Sequence, residues 1–180
     1  MGGRADAAEA EFTAYFAARF QRLRGLAYLL CGDWHRADDL AQLAFVRLAS
    51  SWHRLREPEA VDSYVRTCLL RSYLSDQRRA WRRRESATAE VPEMAGVPDT
   101  AEVTADRVTV LRALAQVPPR QRAVLVCRYY EGLDVATTAA LLGCSEGTVK
   151  SQTARGLQVL RRVLGDVSGT ASAHDQGEMS

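Results

Sequence analysis

The sequence DVATTAALLGCSEGTVKSQTARGLQVL, residues 134–160, contains two short helical patterns with a glycine between them. Asp134 and Ser145 each stand where a helix would begin, and their side-chain oxygens can accept hydrogen bonds from the unpaired amides of a first turn. Gly143 ends the first helix, because glycine readily adopts the left-handed backbone of a tight turn. A short helix, a tight turn and a second capped helix together predict a helix-turn-helix.

The second helix of this motif presents the side chains that could contact DNA. The apolar positions of the motif predict a small core made of Val135, Ala139, Leu142, Val149 and Leu157. The outward positions of the second helix are Glu146, Gly147, Lys150, Ser151, Gln152 and Arg155. Arginine and lysine suit guanine edges and phosphates, and glutamine suits adenine, so this face predicts a helix that enters the major groove. The alternative is a solvated face on a helical domain that binds no nucleic acid.

The remaining periodicity predicts helices along the chain and no strands. In the first half, apolar residues recur at three- and four-residue spacing, which predicts helices that end near Gly32, span about His35 to Ser51 and start after Glu57-Pro58. In the second half, the predicted helices span residues 103–117, 120–130, 134–142 and 145 to about 164. The predicted fold class is therefore all-α.

The formal net charge of +2 conceals strongly charged segments. The net charge is 0 for residues 1–61, +5 for 62–84, −6 for 85–106, +6 for 107–164 and −3 for 165–180. The acidic segment contains proline and glycine and lacks aromatic residues, so it cannot bury enough apolar area to fold alone. We therefore predict two small helical domains, at residues 10–84 and 107–164, joined by a flexible acidic linker at 85–106 and followed by a disordered tail at 165–180.

Arginine supplies 23 of the 24 basic residues. A G+C-rich genome favours arginine codons and would produce this bias without any function. A need for planar, forked donors to phosphate would also produce it. Composition alone leaves both explanations open.

Several chemical classes are disfavoured by the sequence. Cys31, Cys68, Cys127 and Cys144 have neither CxxC nor zinc-ligand spacing and are flanked by apolar residues, which predicts small core side chains in a reducing cytosol. A DNA resolvase or nuclease would need a nucleophile or a carboxylate cluster, and Asp38-Asp39 has no third acid or histidine at metal spacing. The sequence shows no secretion signal and no apolar stretch long enough for a membrane span. We therefore expect a cytoplasmic protein that is not an enzyme, has no catalytic or metal-binding residues, needs no cofactor and does not insert into membranes.

Residues 118–160, which begin PPRQRAVLVCRYYEG, resemble region 4 of sigma factors, specifically the small extracytoplasmic-function (ECF) group. The matching residues are Pro119, Arg120, Gln121, Arg122, Val124, Leu125, Arg128, Tyr129, Gly143, Ser145, Gly147, Thr148, Val149, Lys150, Ser151 and Arg155. The resemblance implies that the motif reads the −35 promoter element through Ser145, Gly147, Thr148, Lys150, Ser151, Gln152 and Arg155. Response regulators of the LuxR type carry a similar motif, so a stand-alone helix-turn-helix regulator is the alternative.

The segment DDLAQLAFVRL, residues 38–48, resembles the part of sigma region 2 that docks on the polymerase clamp. The resemblance implies that Asp38, Asp39, Gln42 and Phe45 bind core polymerase. Taken alone, the pattern would also fit an ordinary amphipathic helix with its apolar side packed inward. As a sigma factor, the protein would bind promoter DNA and core RNA polymerase, at the clamp and flap regions, and many relatives also bind an anti-sigma factor. Its expected location is the cytoplasm, in association with the nucleoid.

The segment YVRTCLLRSYLSDQRRAWRRRE, residues 64–85, resembles the helix that reads the −10 element. The resemblance implies that Arg71, Ser72, Ser75, Arg78 and Arg79 contact −10 DNA. Guanidinium groups can hold the DNA backbone while aromatic or pocket residues accept an unstacked base. Tyr64 and Tyr73 are predicted to pack in the core, whereas Trp81 either rests on arginine side chains or approaches DNA.

Two positions depart from the family pattern. Arg71 stands where relatives commonly have asparagine, and Gln152 stands where they have arginine. Arginine favours guanine acceptors and glutamine favours adenine, so the promoter sequence should not be copied from the family. The resemblance further implies that the turn at residues 55–62 walls a flipped −10 base and that the acidic linker threads the RNA channel of the polymerase, for which a solvated spacer is the alternative.

Overall fold

The computed structural model describes residues 2–55, 57–86 and 105–174 of the 180-residue chain. The chain forms two compact units, and each is described by itself. Every regular element in the described ranges is helical, which confirms the predicted all-α fold. Most of the predicted acidic linker, residues 87–104, and the last part of the predicted tail, residues 175–180, lie outside the described residues.

The first unit contains three long helices. α1 spans Gly2–Cys31, α2 spans Trp34–Ala49 and α3 spans Pro58–Ser86, with a 3₁₀ turn at Trp52–Arg54 before α3. α1 begins well before the predicted domain start at residue 10, because the alanines and glutamates of its first turns favour helix. α3 continues two residues past the predicted domain end at residue 84.

Local signals set the boundaries of these helices. Gly32 follows α1 with a φ of 72°, a left-handed conformation that glycine adopts without a Cβ penalty. Asp33 then caps α2, because its Oδ1 accepts a hydrogen bond from the Arg36 amide at 2.7 Å. Pro58 is the first residue of α3, where a backbone amide would have no helical partner in any case.

Each helix of the first unit buries one side. The buried apolar side chains are Leu23, Leu26, Ala27, Tyr28 and Leu30 in α1, Ala37, Leu40, Ala41, Ala44, Phe45 and Leu48 in α2, and Val61, Val65, Cys68, Leu69, Leu70 and Tyr73 in α3. The full burial of Tyr73 confirms its predicted core position. Tyr64 is partly buried, and its hydroxyl lies 3.0 Å from Ser51 Oγ.

The second unit contains the predicted helix-turn-helix and the helices that precede it. α4 spans Ala105–Gln116, α5 spans Pro119–Leu125 and continues as a π-helical turn at Val126–Tyr130, α6 spans Val135–Leu142, and α7 spans Glu146–His174. α7 extends ten residues past its predicted end near Leu164, so residues 165–174 are helical rather than part of a disordered tail. No proline interrupts this segment, and an isolated glycine costs only about 1 kcal/mol in a helix.

The periodicity predicts a regular α-helix that ends at Tyr130. The helix that begins at Pro119 departs from this prediction, because it becomes a π-helical turn at Val126. The Glu131 amide donates to the Val126 carbonyl at 3.0 Å, which widens the last turn. Gly132 ends the segment with a φ of 68°. The apolar pattern of the sequence does not distinguish this wider turn from α-helix, because both place the same residues near the core.

The core of the second unit extends well beyond the residues predicted from the motif. Its buried side chains include Ala113, Leu114, Val117, Ala123, Val124, Leu125, Val126, Cys127, Thr138, Ala139 and Val149. Of the predicted core, Ala139 and Val149 are buried, whereas Val135, Leu142 and Leu157 remain partly exposed. Arg122 caps the C-terminal end of α4, because its guanidinium donates hydrogen bonds to the carbonyls of Ala115 and Val117. α4 and α5 therefore supply most of the apolar support for the motif.

Gly156 allows α7 to approach α5 closely. A Cβ built on Gly156 would lie 2.9 Å from Leu125 Cδ1 and 3.1 Å from Leu125 Cγ, closer than carbon atoms normally pack. Gly156 is buried, so Leu125 fills the space that a side chain would occupy. Glycine at this position therefore serves close packing and not a special backbone conformation.

Replacing Gly156 with alanine should destabilise the protein, whereas replacing Gly165 with alanine should stabilise it. Both glycines lie in α7, but a Cβ at Gly165 meets no atom within 4 Å. Gly165→Ala should gain about 0.5–1 kcal/mol from helix propensity, and Gly156→Ala should lose about 1 kcal/mol, because overpacking costs about 1–3 kcal/mol. Urea unfolding measures both free energies. Equal stability of the two variants would contradict the close approach.

Candidate DNA and polymerase interfaces

Two capped helix starts and one glycine turn define the helix-turn-helix. Asp134 Oδ1 accepts a hydrogen bond from the Thr137 amide at 2.6 Å, and Ser145 Oγ accepts one from the Thr148 amide at 3.1 Å. Gly143 has a φ of 63°. Both predicted N-caps and the predicted glycine turn are therefore confirmed. The Thr137 amide also holds the pKa of the Asp134 carboxyl below its ordinary value of 3.8, because its hydrogen bond favours the charged form.

α7 turns one side to the core and leaves the other side exposed. Val149 and Gly156 are buried and are seven residues apart, which places them on the same side of the helix. The exposed residues in the first half of α7 are Glu146, Gly147, Lys150, Ser151, Ala154, Arg155 and Gln158. Gly147, Ser151 and Ala154 are the small residues in the middle of this face, and Lys150 and Arg155 lie on its two sides, about 140° apart around the helix axis.

The structure brings most of the predicted −35 residues to this exposed face. The exposed members are Ser145, Gly147, Lys150, Ser151 and Arg155. The Ser145 hydroxyl is already engaged as the N-cap and lies 2.9 Å from Thr148 Oγ1. Thr148 and Gln152 are partly buried at the sides of the face. Their reach towards a bound DNA is therefore more restricted than the sequence predicts.

Three arginines form a stripe along α3. Arg71, Arg78 and Arg82 are exposed, and their spacing of seven and four residues places them on one side of the helix. Ser75 lies between them and is partly exposed, and Arg79 is exposed beside the stripe. We call Arg71, Arg78 and Arg82 the arginine stripe. Arg82 was not among the residues implied by the family resemblance, although the regular spacing in the sequence could have identified it.

Ser72 is not on this surface, contrary to the prediction from the sequence. Its side chain is 4% exposed, and its hydroxyl donates to the Cys68 carbonyl at 2.9 Å. Arg47 of α2 donates to the same hydroxyl at 2.9 Å. Ser72 therefore joins α2 to α3, and the prediction that it contacts −10 DNA is wrong for the described structure.

On the exposed side of α2, two polar and two apolar residues lie next to one another. Asp39 and Gln42 are exposed, as the sequence predicts, and Leu43 and Val46 next to them are 41% and 63% exposed. We call these four residues the α2 surface. Large apolar side chains on the solvent side of an amphipathic helix commonly mark an interaction site. Leu43 and Val46 interrupt the polar side of the helical pattern, and this signal was missed in the sequence.

Phe45 lies on the opposite side of α2. Its side chain is 2% exposed, and its ring centroid lies 4.8 Å from that of Phe16 and 6.0 Å from that of Phe20. The predicted direct contact of Phe45 with polymerase is therefore wrong, because the ring belongs to the interface between α1 and α2. Phe45 supports the α2 surface from below.

Asp38 is paired within the protein. Arg24 donates from Nε to one carboxylate oxygen and from Nη2 to the other at 3.1 Å. The Arg24 guanidinium also lies 4.4 Å from the centre of the Trp34 ring, and Trp34 stacks on Tyr28 at 4.0 Å. Asp38 therefore fixes the first turns of α2 against α1, which leaves Asp39 as the exposed carboxylate of the pair.

Trp52 anchors the turn before α3. Its ring centroid lies 5.3 Å from that of Phe12 and 5.5 Å from that of Tyr15. Burial and a hydrogen bond to Asp62 raise the pKa of Tyr15, so its hydroxyl stays protonated and donates to Asp62 Oδ1 at 2.6 Å. Residue 56 lies outside the described residues. A wall for a flipped base at residues 55–62 therefore stays a prediction.

Cys68 and Cys127 are buried, as predicted for core side chains, whereas Cys31 and Cys144 are only partly buried. Burial raises the pKa of Cys31 and that of Cys68, so both thiols stay protonated at neutral pH and are poor nucleophiles. In the described ranges, no group of histidine, cysteine, aspartate and glutamate side chains is arranged to hold a metal ion. None of the helices there combines the length and hydropathy of a membrane span.

Comparison with known proteins identifies the family. The Sigma-70 region 2 model matches residues 16–83, and the Sigma-70 region 4 model matches residues 107–160. The RNA polymerase sigma-E factor of Streptomyces avermitilis is 36% identical over 154 residues, which cover 86% of this chain and 85% of that protein. The ECF RNA polymerase sigma factor SigM of Mycobacterium tuberculosis is 31% identical over 177 residues, which cover 92% of this chain and 89% of that protein. The chain belongs to the ECF RNA polymerase sigma factors.

A solved structure shares the fold of this sigma factor. The sigma factor RpoE, in its complex with the anti-sigma factor NepR from Bartonella quintana, matches with a TM-score of 0.73 and 21% identity over 86% of this chain and 97% of that one. At this identity the match shows a common fold. It agrees with the all-helical architecture that the sequence predicts.

The region 2 match distinguishes a sigma factor from a stand-alone helix-turn-helix regulator. The region 2 match covers the second half of α1 and all of α2, and it continues into α3 as far as residue 83. A stand-alone helix-turn-helix regulator does not need a region 2 domain to bind DNA, so that alternative is not favoured. As a sigma factor, the chain directs promoter-specific initiation of transcription by RNA polymerase.

Asp38 and Asp39 should differ in their effect on stability, although they are adjacent. Asp38→Ala removes the partner of Arg24 and should lower the free energy of unfolding by about 1–2 kcal/mol. Asp39→Ala removes an exposed side chain and should change it by less than about 0.5 kcal/mol. Urea unfolding measures the difference. As a control, Arg24→Ala/Asp38→Ala should be about 1 kcal/mol more stable than the two single losses predict, and additive losses would argue against the pair.

Proposed function

We propose that this sigma factor uses three helix surfaces: the α2 surface binds core RNA polymerase, the arginine stripe of α3 contacts −10 DNA, and the first half of α7 reads the −35 element. The observation that carries the proposal is the exposed face of α7, whose orientation is fixed by the buried residues Val149 and Gly156. A capped helix with small and polar residues on its free side has the form of a helix that enters the major groove.

The arrangement of residues on α7 supports a division between base and backbone contacts. Gly147, Ser151 and Ala154 in the middle of the face are small, so the helix can lie close to the base edges. Ser151 donates to the Thr148 carbonyl at 3.0 Å, and its oxygen remains able to accept a hydrogen bond from a base amino group. Lys150 and Arg155 at the flanks are suited to phosphates on the two sides of the groove.

The arginine stripe supports a backbone contact at the −10 element. Arg71 and Arg78 are about 10.5 Å apart along the helix axis, and Arg78 and Arg82 are about 6 Å apart. These separations are comparable to those between phosphates of one strand, and each contact releases counterions from the DNA. Ser75 and Arg79 remain proposed contacts beside the stripe.

The composition of the α2 surface supports a protein partner. Leu43 and Val46 form an apolar centre, and Asp39 and Gln42 lie at its edge. An apolar centre with a polar rim is the usual arrangement of a specific protein–protein interface. We assign this surface to the clamp of core polymerase, with Phe45 and Asp38 holding α2 in place.

The proposal extends to the setting in which the protein acts. The domains at residues 10–84 and 107–164 bind the two promoter elements, and the acidic linker at 85–106 joins them. The protein is not itself an enzyme, since catalysis belongs to the polymerase, and it acts in the cytoplasm at the nucleoid. An anti-sigma factor is a further proposed partner, because RpoE, which shares the fold, is seen in complex with NepR.

Alanine at Lys150 or Arg155 should weaken binding of the holoenzyme to a duplex fragment that contains the −35 element. Each variant should reduce the slope of log affinity against log salt by about one, because each loses one phosphate contact. The affinity for sequence variants of the element should fall uniformly. Arg112→Ala, which removes an exposed arginine of α4, is the matched control and should leave the slope unchanged. An unchanged slope for both α7 variants would remove this helix from the interface.

The substitutions Asp39→Arg and Val46→Arg should each abolish binding to core polymerase without unfolding the protein. The substitutions place a cation in the α2 surface, whereas Gln21→Arg places one on an exposed position of α1 and serves as the control. Co-purification with core polymerase and reconstituted transcription measure the effect, and thermal unfolding checks the fold. A normal holoenzyme from both variants would refute the assignment of this surface.

A further inference from the structure

A row of polar side chains runs along the contact between α2 and α3. Tyr64, Cys68 and Ser72 follow one another at four-residue spacing on one side of α3. The Tyr64 hydroxyl lies 3.0 Å from Oγ of the buried Ser51, just after α2, and the buried Ser72 hydroxyl accepts a hydrogen bond from Nη1 of Arg47 at 2.9 Å. Hydrogen bonds restrict distance and angle more than apolar contacts do. The row therefore restricts how α3 lies against α2.

Arg47 makes its hydrogen bond from the border of the α2 surface. It follows Leu43 by four residues and Val46 by one, so its side chain leaves α2 between that surface and the buried side. The residue as a whole is exposed, yet its guanidinium reaches a buried hydroxyl of the next helix. Ser72 donates its own proton to the Cys68 carbonyl, so its oxygen can accept from Arg47. One hydroxyl thus connects a turn of α3 to a side chain of α2.

Ser72 lies where α3 leaves the core of the first unit. Ser72 and Tyr73 are the last buried residues of α3 as far as residue 83. Residues 74–83 are partly or fully exposed, and they carry Arg78 and Arg82 of the arginine stripe. Arg82 lies ten residues, or about 15 Å, past Ser72. A tilt of about 10° at Ser72 would move Arg82 by about 3 Å, which is as long as a hydrogen bond.

The hydrogen bond from Arg47 is suited to prevent such a tilt. Hydrophobic burial holds α3 in the core, but it is non-directional. A hydrogen bond weakens steeply when its angle departs from the optimum. The bond between Arg47 and Ser72 acts at the last buried turn of α3, one residue from Arg71, so it controls the direction of everything that follows.

We propose that Arg47 is a positioning residue for the −10 contact: its hydrogen bond to Ser72 fixes the direction of the exposed part of α3 and so aligns the arginine stripe with the DNA backbone. The inference rests on the proposed role of α3 at the −10 element and adds a residue of α2 that touches neither DNA nor polymerase. An aligned stripe contacts several phosphates together. A helix that is free to tilt loses that freedom on binding, which weakens its affinity.

Binding of a short labelled oligothymidylate to the full-length chain tests this role, with fluorescence anisotropy at low salt as the measurement. Arg47→Met keeps the length of the side chain but removes its donors, and it should weaken binding about three- to tenfold. Arg47→Lys keeps a donor and should recover most of the affinity. Ser72→Ala changes no charge and should weaken binding as much as Arg47→Met. The double variant Arg47→Met/Ser72→Ala should bind no worse than either single variant.

Two direct roles of Arg47 would give other results. If Arg47 contacts a phosphate itself, Arg47→Met should lower the salt slope by about 0.7 while Ser72→Ala binds like the wild type. If Arg47 contacts polymerase, Arg47→Met should lose co-purification with core polymerase while Ser72→Ala keeps it. Either result would overturn the positioning role.

Leu30→Val separates positioning from a general loss of stability. Leu30 is buried in α1, and the substitution removes a methylene from the core without touching the contact between Arg47 and Ser72. It should lower the Tm by a few degrees, as Ser72→Ala does, but leave the affinity for oligothymidylate unchanged well below the Tm. Equal weakening by Leu30→Val would show that affinity follows stability alone, and the inference would be wrong.

The direction of α3 can be measured without DNA. Spin labels on noncanonical amino acids at the exposed positions of Gln21 and Arg83 report the distance between α1 and the exposed part of α3. The distance distribution should be narrow in the wild type and in Leu30→Val, and broader in Arg47→Met and Ser72→Ala. Equal widths in all four proteins would show that the hydrogen bond does not fix the direction of α3.

Arg78→Ala and Arg82→Ala distinguish the failure of this inference from the failure of the proposed function. If they weaken binding to oligothymidylate while Arg47→Met and Ser72→Ala do not, α3 contacts the backbone without help from Arg47, and only the positioning role is wrong. If none of the four variants weakens binding, the proposed −10 role of α3 is wrong as well.

Discussion

The approach of α7 to α5 at Gly156 determines which side of α7 is free to meet DNA. Leu125 occupies the place of a side chain at this position, and Val149, two helical turns earlier, is buried on the same side. Lys150 and Arg155 are each adjacent in sequence to one of these buried residues, so each is rotated by about 100° away from the core. Apolar packing therefore sets the position of the charges. A helix that rolled about its axis would move both charges and bury one of them.

The same geometry explains where inference from spacing succeeded and where it failed. The all-α fold, the N-caps and the glycine turn could be predicted because each depends on residues that are close in sequence. Asp39, Gln42 and Phe45 step by three residues, but three residues rotate a helix by about 300°, so each step moves about 60° backwards. After two steps, Phe45 has passed from the surface into the core. The prediction for Ser72 is wrong for a related reason. Ser72 follows Arg71 by one residue, which rotates its side chain by about 100° around the helix axis and points it inward.

Contacts between helices could not be predicted, because periodicity identifies a buried side and not the partner against it. The pair of Arg24 and Asp38 joins α1 to α2, and the pair of Arg47 and Ser72 joins α2 to α3. In the sequence, Asp38 and Asp39 are the same residue type, and both are equally suited to bind a partner protein. Only the position of the Arg24 guanidinium between the Asp38 carboxylate and the Trp34 ring separates the two roles.

The arginine bias of the chain has two physical components that composition cannot separate. Arg24 engages both oxygens of one carboxylate while its Cζ lies 4.4 Å from the centre of an aromatic ring, and Arg122 donates to two carbonyls at the end of α4. Lysine has a compact ammonium group without the planar, forked donors of a guanidinium, so arginine suits both arrangements better. Along the arginine stripe, a point charge would also attract phosphate, and codon bias alone could have selected arginine. The number of donors that a guanidinium directs to its own chain is therefore a better guide to its role than the density of arginine in the sequence.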